Sequence, residues 1–311
     1  MIPTTTEIRQ SKQNKTSFLL PTALAVVSVN SIVSGMPILN YIFGLLALVS
    51  YPVLFHVSGK NYVYTVAVIS VFVAAIIGGL TSAILMLVSS TIPGVILGWA
   101  MTSGKRPSQA IILSFLPSFI ILGFLLLNSS ELGQAFHMAM EETSIQFSRI
   151  QGSSANSEEL MKSLQSFGNT VFDLMPSLIL LSGLFNVFIG YMASNKILSI
   201  SGYQVRPMPP FNRWRPGYPM VGLFITGLFF AVFNLGGSEL IGWNILLFTG
   251  IIYFISGLAV VESFFRASKI PLFFKLLFYA GVFLAQLFSL VVLAGVGLFD
   301  SWFNFRSRQA S

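Results

Sequence analysis

The chain contains no cysteine, so disulfides, thiolate nucleophiles and sulfur-ligated metal sites are excluded. Charge is nearly as scarce. Asp, Glu, Lys and Arg make up 9% of its 311 residues, where a soluble domain carries about a quarter. There are two histidines, His56 and His137, and neither stands in an HExxH motif or beside a second ligand. No GxSxG elbow occurs, no aspartate pair falls inside an apolar run, and Ser58-Gly59-Lys60-Asn61 lacks the glycine-rich lead of a phosphate loop. These absences argue against an enzyme, and no cofactor or metal site is expected. No internal repeat of the kind that builds many transporters is visible.

What is present is hydrocarbon. Apolar residues make 54% of the chain, and the mean hydropathy is +0.81. Nine runs approach the roughly 20 residues that cross a bilayer: Phe18–Ser34, Ile38–Val57, Tyr62–Gly78, Leu80–Thr102, Ser108–Leu127, Val171–Ser194, Tyr218–Leu235, Leu240–Phe264 and Leu272–Leu298. Backbone groups cannot go unpaired in lipid, so continuous runs of this length form helices, and they exclude the short alternating strands of a barrel. The expected fold is an all-α polytopic transmembrane bundle of eight to nine spans, a single integral domain over residues 1–311 whose first partner is the lipid bilayer.

The few charges carry topology. Lys and Arg precede Phe18 and recur at Lys60, Lys105, Arg106, between Lys196 and Arg215, and at Arg266 and Lys269, while the gaps near Gly35, Gly79 and Gly237 lack basic residues and the segment from Asn128 to Thr170 is acid-rich. Cytoplasmic loops collect Lys and Arg, so the N-terminus is expected in the cytoplasm. The net charge of +7 is then topological, and nucleic acid is not an expected partner. Nine spans leave Arg306 and Arg308 on the wrong side; eight, with one run re-entrant, would return them.

Residues 129–169 are net acidic, with Glu131, Glu141, Glu142, Glu158 and Glu159 against Arg149 and Lys162. Leu132, Phe136, Met140, Ile145 and Phe147, then Leu160, Leu164 and Phe167, keep helical spacing on either side of GSSAN. An extracytoplasmic helical hairpin is expected there, with a solvated loop as the alternative. Residues 201–217 form a cytoplasmic Pro/Arg-rich linker that cannot be helical throughout. Trp214, between Arg213 and Arg215, suits headgroup depth.

Polar side chains within spans cost free energy unless they find partners or water. Asp173, Asn186, Asn234, Glu239 and Asn244 are the candidate lining of an outward-facing polar pocket, with interhelical hydrogen bonding as the plainer reading. Gln286 lies in the last run, and Glu262 stands one turn before Arg266. Small residues four apart let helices approach closely: Ser31/Gly35, Ala74/Gly78 and Gly94/Gly98 are candidates for packing. Pro93 is expected to kink its helix.

Three segments carry a resemblance: PFNRWRPGYP from Pro210, NILLFTGIIYFISGLAVVESFF from Asn244 and GLFDSWFNFR from Gly297. With GGLTSAIL after Ile77 and IPGVILG after Thr91, they resemble the YybS-like family of bacterial membrane proteins, a domain of unknown function. That family is distantly similar to the substrate-binding S-components of energy-coupling-factor transporters. The resemblance implies an eight-span or similar bundle and no established activity. With the polar residues inside spans, the expected role is binding or moving a small-molecule ligand at the bacterial cytoplasmic (inner) membrane. The competing expectation is a non-transporting scaffold whose partner is another membrane protein. The AxxxA docking pattern of S-components is not present in strict form, since Ala23 is followed four residues on by Val27 and Ala25 by Val29.

Overall fold

The computed structural model describes residues 5–151 and 155–306, with side chains from residue 18 onward except 37, 144, 147–151 and 155–158. The side chains of Phe147, Arg149 and Glu158 and the whole of Arg308, which entered the sequence reading, lie outside these. Among the described residues all regular structure is helical. The α-helices are α1 (Thr5–Ile32), α2 (Pro37–Ser58), α3 (Lys60–Met86), α4 (Ile92–Thr102), α5 (Pro107–Phe115), α6 (Ser118–Leu127) and α7 (Ser129–Gln151). They continue with α8 (Ala155–Asp173), α9 (Met175–Ile200), α10 (Pro219–Phe233), α11 (Glu239–Ala267), α12 (Leu272–Leu284) and α13 (Gln286–Phe303). Seven helical stretches are long and apolar enough to cross a membrane, while α10 and α12 are apolar but shorter. Exposed Phe72, Ile76, Leu80, Phe124 and Leu127 suit lipid contact.

The chain divides into two compact units, Met1–Ser129 with Ile179–Met208, and Ser130–Leu178 with Pro209–Ser311. In the first, side-chain register gives each helix a direction. Tyr51 meets Ser70 (Oη to Oγ, 3.1 Å) and Phe55 meets the ring of Tyr64, so the first half of α3 runs antiparallel to α2. Gly94 faces Tyr51 and Gly98 faces Phe55, so α4 runs parallel to α2. The chain therefore reverses within the 43-residue apolar stretch Lys60–Thr102. It does so at Gly79, whose φ of 80° and ψ of 172° lie where a side chain is strained. Two runs with no polar loop between them thus remain two opposed segments.

The distortion expected at Pro93 appears one turn earlier, as a π-helical turn over Leu87–Thr91. Proline lacks a donor and its ring clashes with the preceding carbonyls, and the widened turn accommodates both. Pro117 separates α5 from α6. Of the small residues, Gly94 and Gly98 accommodate aromatic rings rather than another helix backbone: a Cβ on Gly94 would lie 2.6 Å from Tyr51 Cδ2. Gly35 and Gly78 approach each other, with a Cβ on Gly35 3.4 Å from Gly78 Cα, and Ala74 is fully buried. Ser31 is buried and returns its hydroxyl to the Val27 carbonyl at 3.0 Å. The C-terminal part of α9 lies parallel to α2, with Ser194 Oγ donating to the Val49 carbonyl at 3.0 Å and Gly190 against Leu48. Leu48, Leu97, Ala100, Val187 and Tyr191 fill the core between them.

In the second unit α7 and α8 form an antiparallel hairpin. Phe136 stacks on Phe172 at 5.0 Å, and Gly168 lies against Met140. Helices α10 and α11 are antiparallel and close, with Gly227 on Ile245 and Gly242 on the backbone of Ala231. The last predicted span, Leu272–Leu298, is not one helix. Gln286 takes a left-handed φ of 42° and divides it into α12 and α13. Ser289 Oγ, 2.7 Å from the carbonyls of Val282 and Gln286, supplies a donor at the break. Asn304 and Arg306, at the far end of α13, share a cavity with Ser263, Arg266 and Ala267 at the far end of α11. Hence α13 runs parallel to α11, and α12 carries the chain back between them.

Candidate functional site

Prolines 207, 209, 210, 216 and 219 keep the segment before α10 out of a long helix, leaving one 3-10 turn over Phe211–Arg213. The segment is nonetheless folded. Trp214 donates its Nε1–H to the Pro209 carbonyl at 2.8 Å and sets its ring edge-on to Phe211. Arg213 and Arg215 project from this structure. From the other direction, α13 stops because Asn304 adopts φ 46° and ψ 55°, a left-handed cap that turns the chain and brings Arg306 back.

Between them sits Asp300, whose side chain is 0% exposed. Its Oδ2 is 3.2 Å from Arg306 Nε and 3.6 Å from Arg215 Nε. Neither carboxylate oxygen has a well-aligned hydrogen bond, so these contacts act as charge pairs in a dry setting. The remaining donors are used on the backbone. Arg306 Nη1 donates to the carbonyls of Asn212 (3.0 Å) and Trp214 (2.6 Å), and Nη2 to the carbonyl and hydroxyl of Ser256 (3.4 and 3.3 Å). Arg215 Nη1 donates to Asn304 Oδ1 at 3.2 Å, and Nη2 to the Asp300 carbonyl. Burial pulls the Arg306 guanidinium below the usual arginine value, the Asp300 charge opposes that, and Arg215 adds to it. Guanidinium is a strong enough base to stay charged.

This lock of three charges closes one side of a cavity of about 530 Å³ lined by Asn212, Arg213, Arg215, Ser263, Arg266, Ala267, Asn304 and Arg306. Four of the eight are arginines and none is acidic. Arg266 is steadied from its own helix by Glu262, 2.9 Å away, the spacing expected from the sequence. Glu262 also meets Lys275 at 3.5 Å and Tyr279 at 3.4 Å.

The five polar residues singled out from the sequence lie elsewhere. Asn244 joins the α8–α9 junction to α11: its Oδ1 accepts from the Ser177 N–H (2.9 Å), and its Nδ2 donates to the carbonyls of Asp173 (2.8 Å) and Leu240 (2.9 Å). Asp173 and Asn244 are therefore together, the former through its backbone. Glu239 is exposed at the start of α11 and accepts from Trp243 Nε1 at 3.2 Å. Asn234 is exposed and caps α10 at φ 39°. Asn186 belongs to the first unit, where it accepts from Tyr41 Oη at 3.3 Å.

The segments that close on the arginine cavity are the same three that carried the resemblance. A family model described as "Predicted membrane protein (DUF2232)" matches residues 23–301. The chain belongs to this family. No curated protein and no solved structure matches it. Within the DUF2232 match lie Arg213, Arg215, Ser256, Arg266 and Asp300, while Arg306 falls just past its end. In the sequence of this DUF2232 chain Arg213 and Arg215 read as topological charges flanking an interfacial Trp214, and Arg306 as a charge on the wrong side of nine spans. One usable signal was Asp300, an acid inside the closing motif with arginine six residues on.

Proposed function

We propose that this DUF2232 protein is a non-enzymatic, membrane-embedded binding protein for a small solute, with the arginine-lined cavity as its recognition site. The observation that carries this reading is the concentration of four arginines on one cavity wall in a chain only 9% charged. Guanidinium groups gathered around one cavity at the helix ends offer an anionic group several charge-assisted hydrogen-bond donors at once. The volume, about 530 Å³, falls in the range of about 300–1,000 Å³ typical of small-molecule sites. The sequence resemblance to YybS-like proteins, themselves distantly similar to S-components, accords with a solute-binding role.

A thermal-shift survey of the detergent-purified protein tests it, using panels of anionic, cationic and neutral solutes. A true ligand at a hundred times its Kd stabilises by about 2.7 kcal/mol. Saturable stabilisation that weakens at least tenfold in Arg213→Ala is expected. If no panel member stabilises and a protein partner co-purifies instead, the scaffold reading replaces this one. Exposed Leu160, Leu164 and Phe167 on α8, outside the membrane-length helices, are the feature that favours that alternative.

The proposal includes a topology in the bacterial cytoplasmic membrane. Reversals at Gly79 and at Gln286 give ten apolar segments in place of eight or nine. The N-terminus, Lys60, Lys105, Arg106, the Pro/Arg segment, Arg266 and the closing Arg306 and Arg308 then all face the cytoplasm, and the α7–α8 hairpin faces outward. Because the chain has no cysteine, single-cysteine variants need no background correction. Ser163→Cys is expected to react with an impermeant maleimide on intact cells. Gly104→Cys and Gly202→Cys are expected to react only after permeabilisation, and the reverse pattern inverts the model.

A further inference from the structure

We infer that the solute held by the arginine cavity carries a phosphate group and that Arg213 and Arg266 are its direct contacts; this rests on the solute-binding reading above. Among the described residues four arginines line the cavity, Arg213, Arg215, Arg266 and Arg306, and the carboxylates paired with them are Asp300 and Glu262. The carboxylates are already engaged. Asp300 lies behind the wall between Arg215 and Arg306, and Glu262 between Arg266 and Lys275. Four positive charges against two leave an excess of two, turned toward a space with no acid on its wall.

A phosphate monoester, with a charge of about −1.5 to −2 near neutral pH, offsets nearly all of that excess, whereas a single carboxylate offsets half of it. Guanidinium geometry favours the same ligand, since its planar fork matches two phosphate oxygens at once. Arg215 and Arg306 have their forks committed to Asp300 and to backbone carbonyls, so they form the fixed floor. Arg213 is exposed, and among the described residues no carboxylate lies within ion-pair distance of it. It is nevertheless held in place, because the turn that bears it is locked by Trp214.

Asn212 supplies a second, independent sign of a missing partner. Its side-chain oxygen is buried on the cavity wall without a hydrogen bond. A half-turn of the amide puts its NH₂ there, a donor for an anionic oxygen. The cavity is also roomy for a bare ion, so the phosphate belongs to a larger molecule. Two sources share this chemistry, a soluble phosphate ester and the headgroup of an anionic phospholipid.

The test uses the full chain in a neutral maltoside detergent, titrated at constant ionic strength with inorganic phosphate, glycerol phosphate, citrate and chloride, and followed by thermal shift and equilibrium dialysis. Phosphate and glycerol phosphate are expected to bind at least tenfold tighter than chloride or citrate. Binding is expected to strengthen between pH 5.5 and 7.5, as the second phosphate proton leaves at about pH 6. Arg213→Gln is expected to weaken binding tenfold or more while leaving the ligand-free unfolding midpoint unchanged; Arg266→Gln repeats the test on a second contact, and Arg213→Lys recovers part of the loss. A parallel arm reconstitutes the protein in phosphatidylcholine vesicles with and without phosphatidylglycerol. Stabilisation by phosphatidylglycerol that glycerol phosphate does not compete away assigns the phosphate to a lipid; competition assigns it to a soluble ester. Should neither phosphate nor phosphatidylglycerol act while citrate, a cation or a neutral solute binds, the phosphate inference falls and the solute reading stands. If nothing binds, both fall.

Discussion

Replacing Asp300 with asparagine is expected to destabilise the second unit by about 3–5 kcal/mol, because it removes the carboxylate that faces two arginines and leaves their charge unbalanced in a dry site. The substitution is nearly isosteric, so lost volume does not account for the effect. Arg306, 13% exposed, has little water to turn to, whereas Arg215, at 33%, can reach solvent. The pair Asp300→Leu with Arg306→Met should therefore be more stable than Asp300→Asn alone, since it removes the buried charge together with its partner. Unfolding midpoints in neutral detergent separate the outcomes. A drop in Asp300→Asn equivalent to less than about 1 kcal/mol, as for a surface ion pair, would mean that water already reaches this carboxylate.

The second large effect is expected at the crossing of α11 and α13. A Cβ on Gly257 would overlap the carbonyl of Leu293, and one on Gly297 would overlap the carbonyl of Tyr253. Both obstacles are backbone, which cannot rotate away as a side chain does. Gly257→Leu must therefore prise the helices apart, and overpacking of about 1–3 kcal/mol per site is the lower bound for so large an addition. Gly250→Ala and Gly295→Ala on the same two helices meet open space and serve as controls. They should be neutral or gain up to about 1 kcal/mol from helix propensity. Comparable losses in all four variants would show that the tight crossing is not what holds these helices. Since the same crossing aligns Asp300 with Ser256 and Arg215, Gly257→Leu should also abolish solute binding.

Much of the fold is legible in the sequence because lipid leaves the backbone so few options. The apolar runs are helical, Pro93 distorts its helix where a donor is missing, and the Gly78-Gly79 pair marks a reversal between two runs. The break at Gln286 is hidden, because Ala285 and Gln286 carry no glycine or proline and the run stays apolar across them. A left-handed glutamine held by Ser289 is a tertiary decision. The site is hidden for a related reason. Arg215 and Asp300 are 85 residues apart, and Arg306 and Ser256 are 50 apart. No spacing rule reads such a convergence. A polar residue inside a span is visible one at a time, so Asn186 and Asn244 attracted notice, although each is engaged by a partner within its own unit. Arginines at span ends look like topology markers whether or not they also meet in a cavity.

If α10 crosses the bilayer, as in the proposed topology, its short length would change the electrical profile of the membrane. Its 15 residues rise about 22 Å, well under the roughly 30 Å of a hydrocarbon core. Arg215, at its start, already belongs to the cavity. Water and counter-ions entering the cavity would carry the potential of the adjoining solution inward with them. The voltage across the bilayer would then drop over a thinner insulating layer than lipid alone provides. At about 2.3 kcal/mol per elementary charge per 100 mV, most of the work of moving an anion from this site to the far side would be concentrated along α10 and the neighbouring stretch of α11.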